Sequence, residues 1–423
     1  MADPWGSVGE TMQDNATSRA TSRSQRAVAD LSHAELGVLA REYLLAGHLI
    51  DRAGMPLVTA MGLDVMTDVA IDEWMGASPI YTKRMQRLLG FEGDTVEVAL
   101  KGMQLDIGAP PEFMDFRMAV QDDRHGTFHL DHCGALMDVE PMGDDFVVAM
   151  CHHIEDPTFD ATGWATNPKL RMRPVHRPPR LPADRTPHCA WTVTIDPEES
   201  DTPFPTQSLE IGRTKAAGLP LASIEGPSDD GYADYARPLD PDLRVADFST
   251  PVLRALIDEV ALQGHLLVLS FAAAVIDRCD EAMTNDMVAK QFTGVAGVAA
   301  DRLARAFGLG DSAADVATVF ELHPAFHPRT YVDWSVELDG DVVHLALGDG
   351  PARSEHFESW IGVLAAGQDR PLRAIAMGVD PHWTVEADGE QRWIVSRSAT
   401  PASEFDEVTL TKFSTGVAFG FER

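Results

Sequence analysis

Basic charge, cysteine and long apolar runs are all in short supply in this chain of 423 residues. Six lysines contribute to 34 basic side chains against 66 acidic ones, a formal charge of −32. That balance repels nucleic acid and anionic membrane surfaces, so neither is expected as a partner. The acids are dispersed rather than run together, which reads as a solubility feature rather than a cation-binding face. No stretch of 18 apolar residues occurs, and Met1 to Asp30 lacks the apolar core of a signal peptide, so the expectation is a cytoplasmic protein. The four cysteines, Cys133, Cys151, Cys189 and Cys279, are too few and too irregularly spaced for a disulfide framework. Reduced thiols or metal ligands are expected instead.

What is present is repetition. LAREYLLAGHLI from Leu39 matches LIDEVALQGHLL from Leu256 at an offset of 217, pairing Glu42 with Glu259, Gly47 with Gly264 and His48 with His265. KRMQRLLGF from Lys83 matches DRLARAFGL from Asp301 at 218, pairing Arg84 with Arg302 and Gly90 with Gly308. MDFRMAV from Met114 follows against VDWSVEL from Val332, also at 218, and FHL from Phe128 against VHL from Val343. At an offset of 202, Leu170 and Arg171 meet Leu372 and Arg373, and Trp191 and Val193 meet Trp393 and Val395. Matches in the same order with gaps at turn-like segments make the chain a tandem duplication.

Each copy reads as helices followed by an antiparallel sheet, an α+β fold. Leu36, Leu39, Tyr43, Leu44 and His48 keep the helical period, and Leu88–Leu89 before Gly90 predicts a helix ending at glycine. Phe116, Met118 and Val120 alternate with polar residues up to the DDRHG turn, as Trp334, Val336 and Leu338 do before Asp339–Gly340. The expected layout is a disordered tail over 1–30, a first copy over 31–196, a Pro/Asp/Gly-rich linker over 197–248, and a degenerate, structural second copy over 249–423. Repeated in both copies, His48 and His265 read as core residues, as do Trp191 and Trp393. Cys279, at the end of an apolar stretch, reads as a small buried hydrophobe.

Seven of the nineteen His and Cys residues fall between His125 and His153. Imidazole, thiolate and carboxylate are the side chains that bind transition metals and move protons near neutral pH. His125, in a turn, reads as solvated. His129, Asp131 and Cys133 are expected to share one strand face by alternation, with His132 on the other. His129, His132 and Cys133 with Cys151, His152 and His153 supply enough N and S donors for a tetrahedral zinc site, with Glu140 or Glu155 as general base. His129-x-Asp131 with a distal histidine, His176 or His188, supplies a facial triad for non-haem iron. Matching FHL to VHL gives His129 a counterpart in His344 but Asp131 and Cys133 none. From His129 to Leu170 is 41 steps against 28 from His344 to Leu372, an excess of 13 in the first copy. Cys189 is compatible with both core and site.

The helix-first, sheet-second unit, with Cys133 and Cys151 flanking its centre and Pro178–Pro179 in a turn, resembles 4-vinyl-reductase-like and L-2-amino-thiazoline-4-carboxylic acid hydrolase-like domains. The resemblance covers residues 35–196 and, in degraded form, 250–398. It implies a small organic molecule held between helices and sheet, and hydrolysis of a C–N bond; no catalytic residue is carried over, because HLDHC and CHH match no motif there. The leading expectation is a metal-dependent enzyme, with hydrolysis preferred, holding Zn²⁺ or Fe²⁺ at one site in the first copy. His129, Asp131 or Cys133 with His152 or His153 would be ligands and Glu140 the proton acceptor. The substrate is a small, anionic molecule contacted by Arg173, His176 and Arg177, since arginine grips carboxylates in a bidentate fashion; equally, these arginines neutralise the protein's own acids. Alternatives are iron-dependent oxygenation, a metal-free Cys133 nucleophile, and a non-enzymatic metal or small-molecule sensor. A homo-oligomer is the other expected association.

Overall fold

Both halves of the chain run three helices, a strand pair, a short helical stretch and a second strand pair in that order, and a computed structural model describes residues 25–227 and 231–413. The first half has helices α1 (His33–Thr59), α2 (Leu63–Leu88) and α3 (Val96–Met103), then strands β1 (Met114–Asp122) and β2 (His125–Cys133). Short helices α4 (Gly134–Val139), α5 (Asp144–Val148) and α6 (Glu155–Trp164) follow, and β3 (Leu170–His176) and β4 (Cys189–Ile195) complete a sheet of order β1-β2-β4-β3. After α7 (Thr206–Ile211) the second half repeats this with α8 (Thr250–Ile276), α9 (Glu281–Ala306), α10 (Ala313–Leu322), β5 (Trp334–Asp339) and β6 (Val342–Leu347). Then come α11 (Trp360–Ala365), α12 (Arg370–Val379), β7 (Trp383–Ala387) and β8 (Arg392–Arg397), giving sheet order β5-β6-β8-β7, before α13 (Asp406–Phe413). This is the expected α+β layout in two similar halves.

Local chemistry explains the matched boundaries. Ser32 caps α1 in a capping box with Glu35. Gly90 and Gly308 adopt φ of 65° and 59° just past α2 and α9, where Phe91 N–H reaches Gln86 O and Leu309 N–H reaches Ala304 O. This left-handed turn, closed by a 6→1 hydrogen bond, is why glycine recurs there. The duplicated unit starts earlier than residue 31: the sequence Val-Ala-Asp forms a 3₁₀ turn at Val28–Asp30 and again at Val245–Asp247, at the same offset of 217. Residues 1–24 of the expected tail lie outside the described residues. Beyond them, Gln25 Nε2 donates to Val336 O at 2.7 Å and Arg26 N–H to Thr318 Oγ1 at 3.2 Å, so the chain is docked on the second half there.

Strand pairing corrects two sequence alignments. Phe128 lies opposite Met118 and Trp191, and Leu345 lies opposite Val336 and Trp393, so Phe128 corresponds to Leu345. His129 therefore corresponds to Ala346, not His344, and the histidine is not retained in the second copy. Met172 pairs with Val193 and Val385 with Val395, so β3 corresponds to β7, whereas Leu372 and Arg373 lie in α12. From Phe128 to Met172 is 44 steps against 40 from Leu345 to Val385, an excess of 4 rather than 13. The main excess lies after β3: 21 steps from Met172 to Val193 against 10 from Val385 to Val395.

The two halves are built around each other. One continuous apolar core joins α1, α2, α8 and α9 to the second sheet, and the first sheet has a smaller core of its own. Helix α8 is long and apolar enough to cross a membrane by composition, with mean hydropathy 1.7, but 83% of that window is buried against the other helices. An apolar surface all round suits the central helix of such a core. Arg84 of α2 grips Glu259 of α8 through two bonds of 2.8 and 2.7 Å, and Arg302 of α9 grips Glu42 of α1 at 2.9 Å. These are the same two positions exchanged, the signature of an interface related by pseudo-two-fold symmetry. His33 Nδ1 lies 3.1 Å from Thr250 Oγ1, its own counterpart, which puts the axis there. The 197–248 segment carries buried Ile211, Tyr235, Leu243 and Phe248 into the same core.

Candidate functional site: a buried thiol cluster in the first half

The sequence cluster separates into three places. On the solvent face of the first sheet, His129 Nε2 stands 3.4 Å from Asp131 Oδ1, and Arg117 Nε stands 3.3 Å from Asp131 Oδ2. His176 flanks the same Ala190 as His129, from the neighbouring strand. Burial and the nearby Arg185 lower its pKa. His125 sits in the exposed turn against Asp122 at 2.9 Å.

Cys133 is on the other face. Between Leu130 and Cys133 strand β2 advances three residues while β1 advances two, from Phe116 to Met114, so β2 bulges. A bulge shifts the side-chain alternation by one, and Cys133 joins Phe128 and Leu130 in the small core instead of following His129 and Asp131. The expectation that His129, Asp131 and Cys133 share a face is therefore corrected: the first two cannot share an ion with Cys133.

Below the sheet, Cys133, Cys151 and Cys189 belong to the same small core, and the Glu155 carboxyl acts electrostatically on each. All three thiols are buried. Cys133 closes α4, its Sγ accepting the Leu136 N–H at 3.3 Å and lying 3.6 Å from Met114 Sδ. Cys189 pairs with Leu130 at the start of β4. Cys151 lies in a π-helical turn, Ala149–Ile154, that interrupts the run from α5 to α6, and Glu155 follows directly. Such turns cost regular hydrogen bonding and are frequent at functional sites. Burial, then the Glu155 charge, pushes the Cys133 thiol up to about 12 and raises Cys151 and Cys189 as well, each feeling its neighbours. Burial pushes the Glu155 carboxyl up to about 8 against the opposing pull of Arg177, and its Oε2 has no hydrogen-bond partner.

A polar rim lies beside this cluster. The His132 and His188 rings are 5.6 Å apart, and His188 Nδ1 accepts the Cys133 N–H at 3.2 Å. Burial, Arg180 and His132 together lower His188 to about 4. Arg180 holds Glu140 through bonds of 2.9 and 2.6 Å, and His152 Nε2 meets Pro178 O at 2.7 Å. His153 is exposed. Glu140, expected as a base, is thus one half of an ion pair. Arg173 holds Asp160 at 2.8 Å and Arg177 holds Asp156 at 2.6 Å, so the arginines serve the protein's own acids. These pairs sit on or beside the long β3–β4 connection that the second half lacks.

Two other histidines behave as the repeat suggests. His48 Nε2 meets Gly108 O and its ring lies on Phe113, while His265 Nε2 meets His327 O and its ring lies on Tyr331, the counterpart of Phe113. Cys279, expected to be buried in a helix, is half-buried in the turn after α8, with Sγ 3.2 Å from Val275 O. Sequence reasoning missed a third group: Asp51, Glu73, Tyr81 and Asp106 inside the first helix pair. Two acids, Asp51 and Glu73, aligned with Val268 and Gln291 in the repeat, were the available signal. A recess of about 10 Å³, enough for one water, lies between the halves, lined by Glu42, Tyr43, Arg302 and Pro324. Among the described residues no group of three or more His, Cys, Asp or Glu is already arranged to hold a metal ion. No protein-family model, curated protein or solved structure matches the chain.

Proposed function

We propose that the protein is a metal-binding receptor, in which the first half takes a thiophilic ion such as Zn²⁺ and the second half is its structural counterpart. Cys133, Cys151 and Cys189 supply thiolates and Glu155 a carboxylate. The observation that carries this is that three thiols, from the end of β2, the π-helical turn and the start of β4, share one small core with the Glu155 charge acting on each, in a half-molecule whose duplicate has no cysteine in its sheet. Three sulfur donors and one oxygen suit zinc better than iron in an oxygen-activating site. Binding releases the thiol protons that burial now holds, and Cys133 leaves the Leu136 N–H to turn toward the ion.

Sensing or structural use fits this setting better than hydrolysis. A hydrolytic metal needs an open position for water and substrate, whereas these thiols are buried beneath the sheet. Signal transmission is supported by the exchanged Arg84–Glu259 and Arg302–Glu42 pairs and by Arg52, whose bidentate grip on Asp138 (2.7 and 2.8 Å) ties α1 to the helix that Cys133 caps.

Elemental analysis of protein refolded with zinc and desalted tests the proposal, together with Co²⁺ substitution read as thiolate-to-cobalt absorption in the near ultraviolet. One equivalent is expected in the native sequence and in Cys279→Ser, and well under half in Cys133→Ser or Cys189→Ser. Retention of a full equivalent by both of those variants, or none by the native protein, would overturn it.

A further inference from the structure

The helical core of the first half contains two acids whose carboxyl oxygens are largely unanswered. Glu73, on α2, is 0% exposed, and neither of its carboxyl oxygens has a hydrogen-bond partner. Asp51, on α1, is half-buried, with its Oδ1 enclosed and unpartnered, and the Trp74 indole hydrogen-bonds its carboxyl. The charge acting on Glu73 is that of Asp51, of the same sign. Beside them Tyr81 donates to Asp106 at 2.8 Å. Burying two carboxylates without a counter-charge is among the costliest arrangements a fold can hold.

The duplicate shows that the fold does not require them. At the same places in the second half stand Val268 and Gln291. Gln291 there is satisfied, its Oε1 accepting the Trp360 indole N–H at 3.3 Å and its Nε2 reaching Ile50 O. A pair of acids that the scaffold manages without presents three unpartnered oxygens.

We infer that Asp51 and Glu73 form a binding site for a hard, oxygen-seeking metal cation between α1 and α2 of the first half. Carboxylate oxygens without nitrogen or sulfur select such ions over zinc or copper. The site is independent of the thiol cluster and does not rest on the function proposed for it. A cation here would neutralise both acids and clamp the two helices that carry Arg84 and Glu42 into the pseudo-symmetric interface.

Thermal unfolding of the full chain in Mg²⁺, Ca²⁺ or K⁺, each against choline chloride at matched ionic strength, tests the inference. The native sequence should show a saturable rise in Tm of about 3–5 °C with one of these ions. Asp51→Val combined with Glu73→Gln, which copies the second half, should raise the cation-free Tm and abolish the response, and Glu73→Gln alone should weaken it at least about tenfold in apparent affinity. The response should survive in Cys133→Ser, which separates this site from the thiols. An absent ion-specific shift in the native protein, or a full shift in the double variant, would overturn the inference.

Discussion

At the scale of single residues, the thiols separate by environment rather than by sequence neighbourhood. A thiol attacks as its thiolate, and burial withholds that form. Cys133 is pushed up to about 12, and the imidazole nearest it, His188, faces its backbone N–H and not its sulfur. A metal-free nucleophile at Cys133 is therefore disfavoured. In native protein at neutral pH, iodoacetamide should modify the half-buried Cys279 first, with Cys133, Cys151 and Cys189 at least about tenfold slower. Peptide mapping by mass spectrometry reads the order. Rapid stoichiometric alkylation of Cys133 would restore the covalent reading.

At the scale of elements, the residues that made the duplication visible are those that hold it together. Glu42 and Glu259, Arg84 and Arg302 recur because each half offers the same acid and base across the interface. Both members of the Arg84–Glu259 pair are nearly buried, with side-chain exposures of 10% and 4%. Removing one partner of such a pair typically costs about 3–5 kcal/mol, because the other is left charged and dry. Arg84→Ala is expected to show that loss in urea unfolding, and Arg84→Met with Glu259→Leu to regain most of it. Equal destabilisation by the double and single variants would mean that packing, not the uncompensated charge, sets the cost. Helix ends, strand alternation and hairpins were legible for local reasons: Gly90 must take positive φ, and Phe116, Met118 and Val120 keep a period of two. The strand register was not. A slip of two residues preserves the alternation, so FHL aligns with VHL as comfortably as with the true LAL, and only pairing across β1 and β4 decides. The bulge that sends Cys133 inward was equally silent, as was the placing of Cys189 and Cys151 in one core, which depends on strand order rather than spacing.

At the scale of the whole molecule, the shared core and the buried ionisable groups predict how stability follows pH. In the fold, burial holds His48 and His323 down to about 3 and His265 to about 4. Each is neutral when folded but protonates near 6.5 when unfolded, so it withdraws stability as pH falls below that value. Burial acts oppositely on acids, lifting Asp106 to about 6, Asp51 to about 7 and Glu73 well above its usual range. Each is neutral in the cation-free fold but ionises near 4 when unfolded, so it withdraws stability as pH rises from there toward its folded value. Between about pH 4.5 and 6 the three histidines and three carboxyls change in opposite directions and nearly cancel. Below about 4 the histidines alone remain, and above about 6.5 the carboxyls do. Calorimetry in EDTA should therefore give a Tm plateau over that middle range, falling on both sides. Because one core joins both halves, each scan should show a single transition. Asp51→Val with Glu73→Gln should make the alkaline limb shallower, with Glu155, held up to about 8, still contributing to it, and leave the acid limb unchanged, since His48, His265 and His323 are untouched. A Tm that climbs from pH 6 to 8.5 in the native sequence would show that these carboxyls are already compensated when the protein folds.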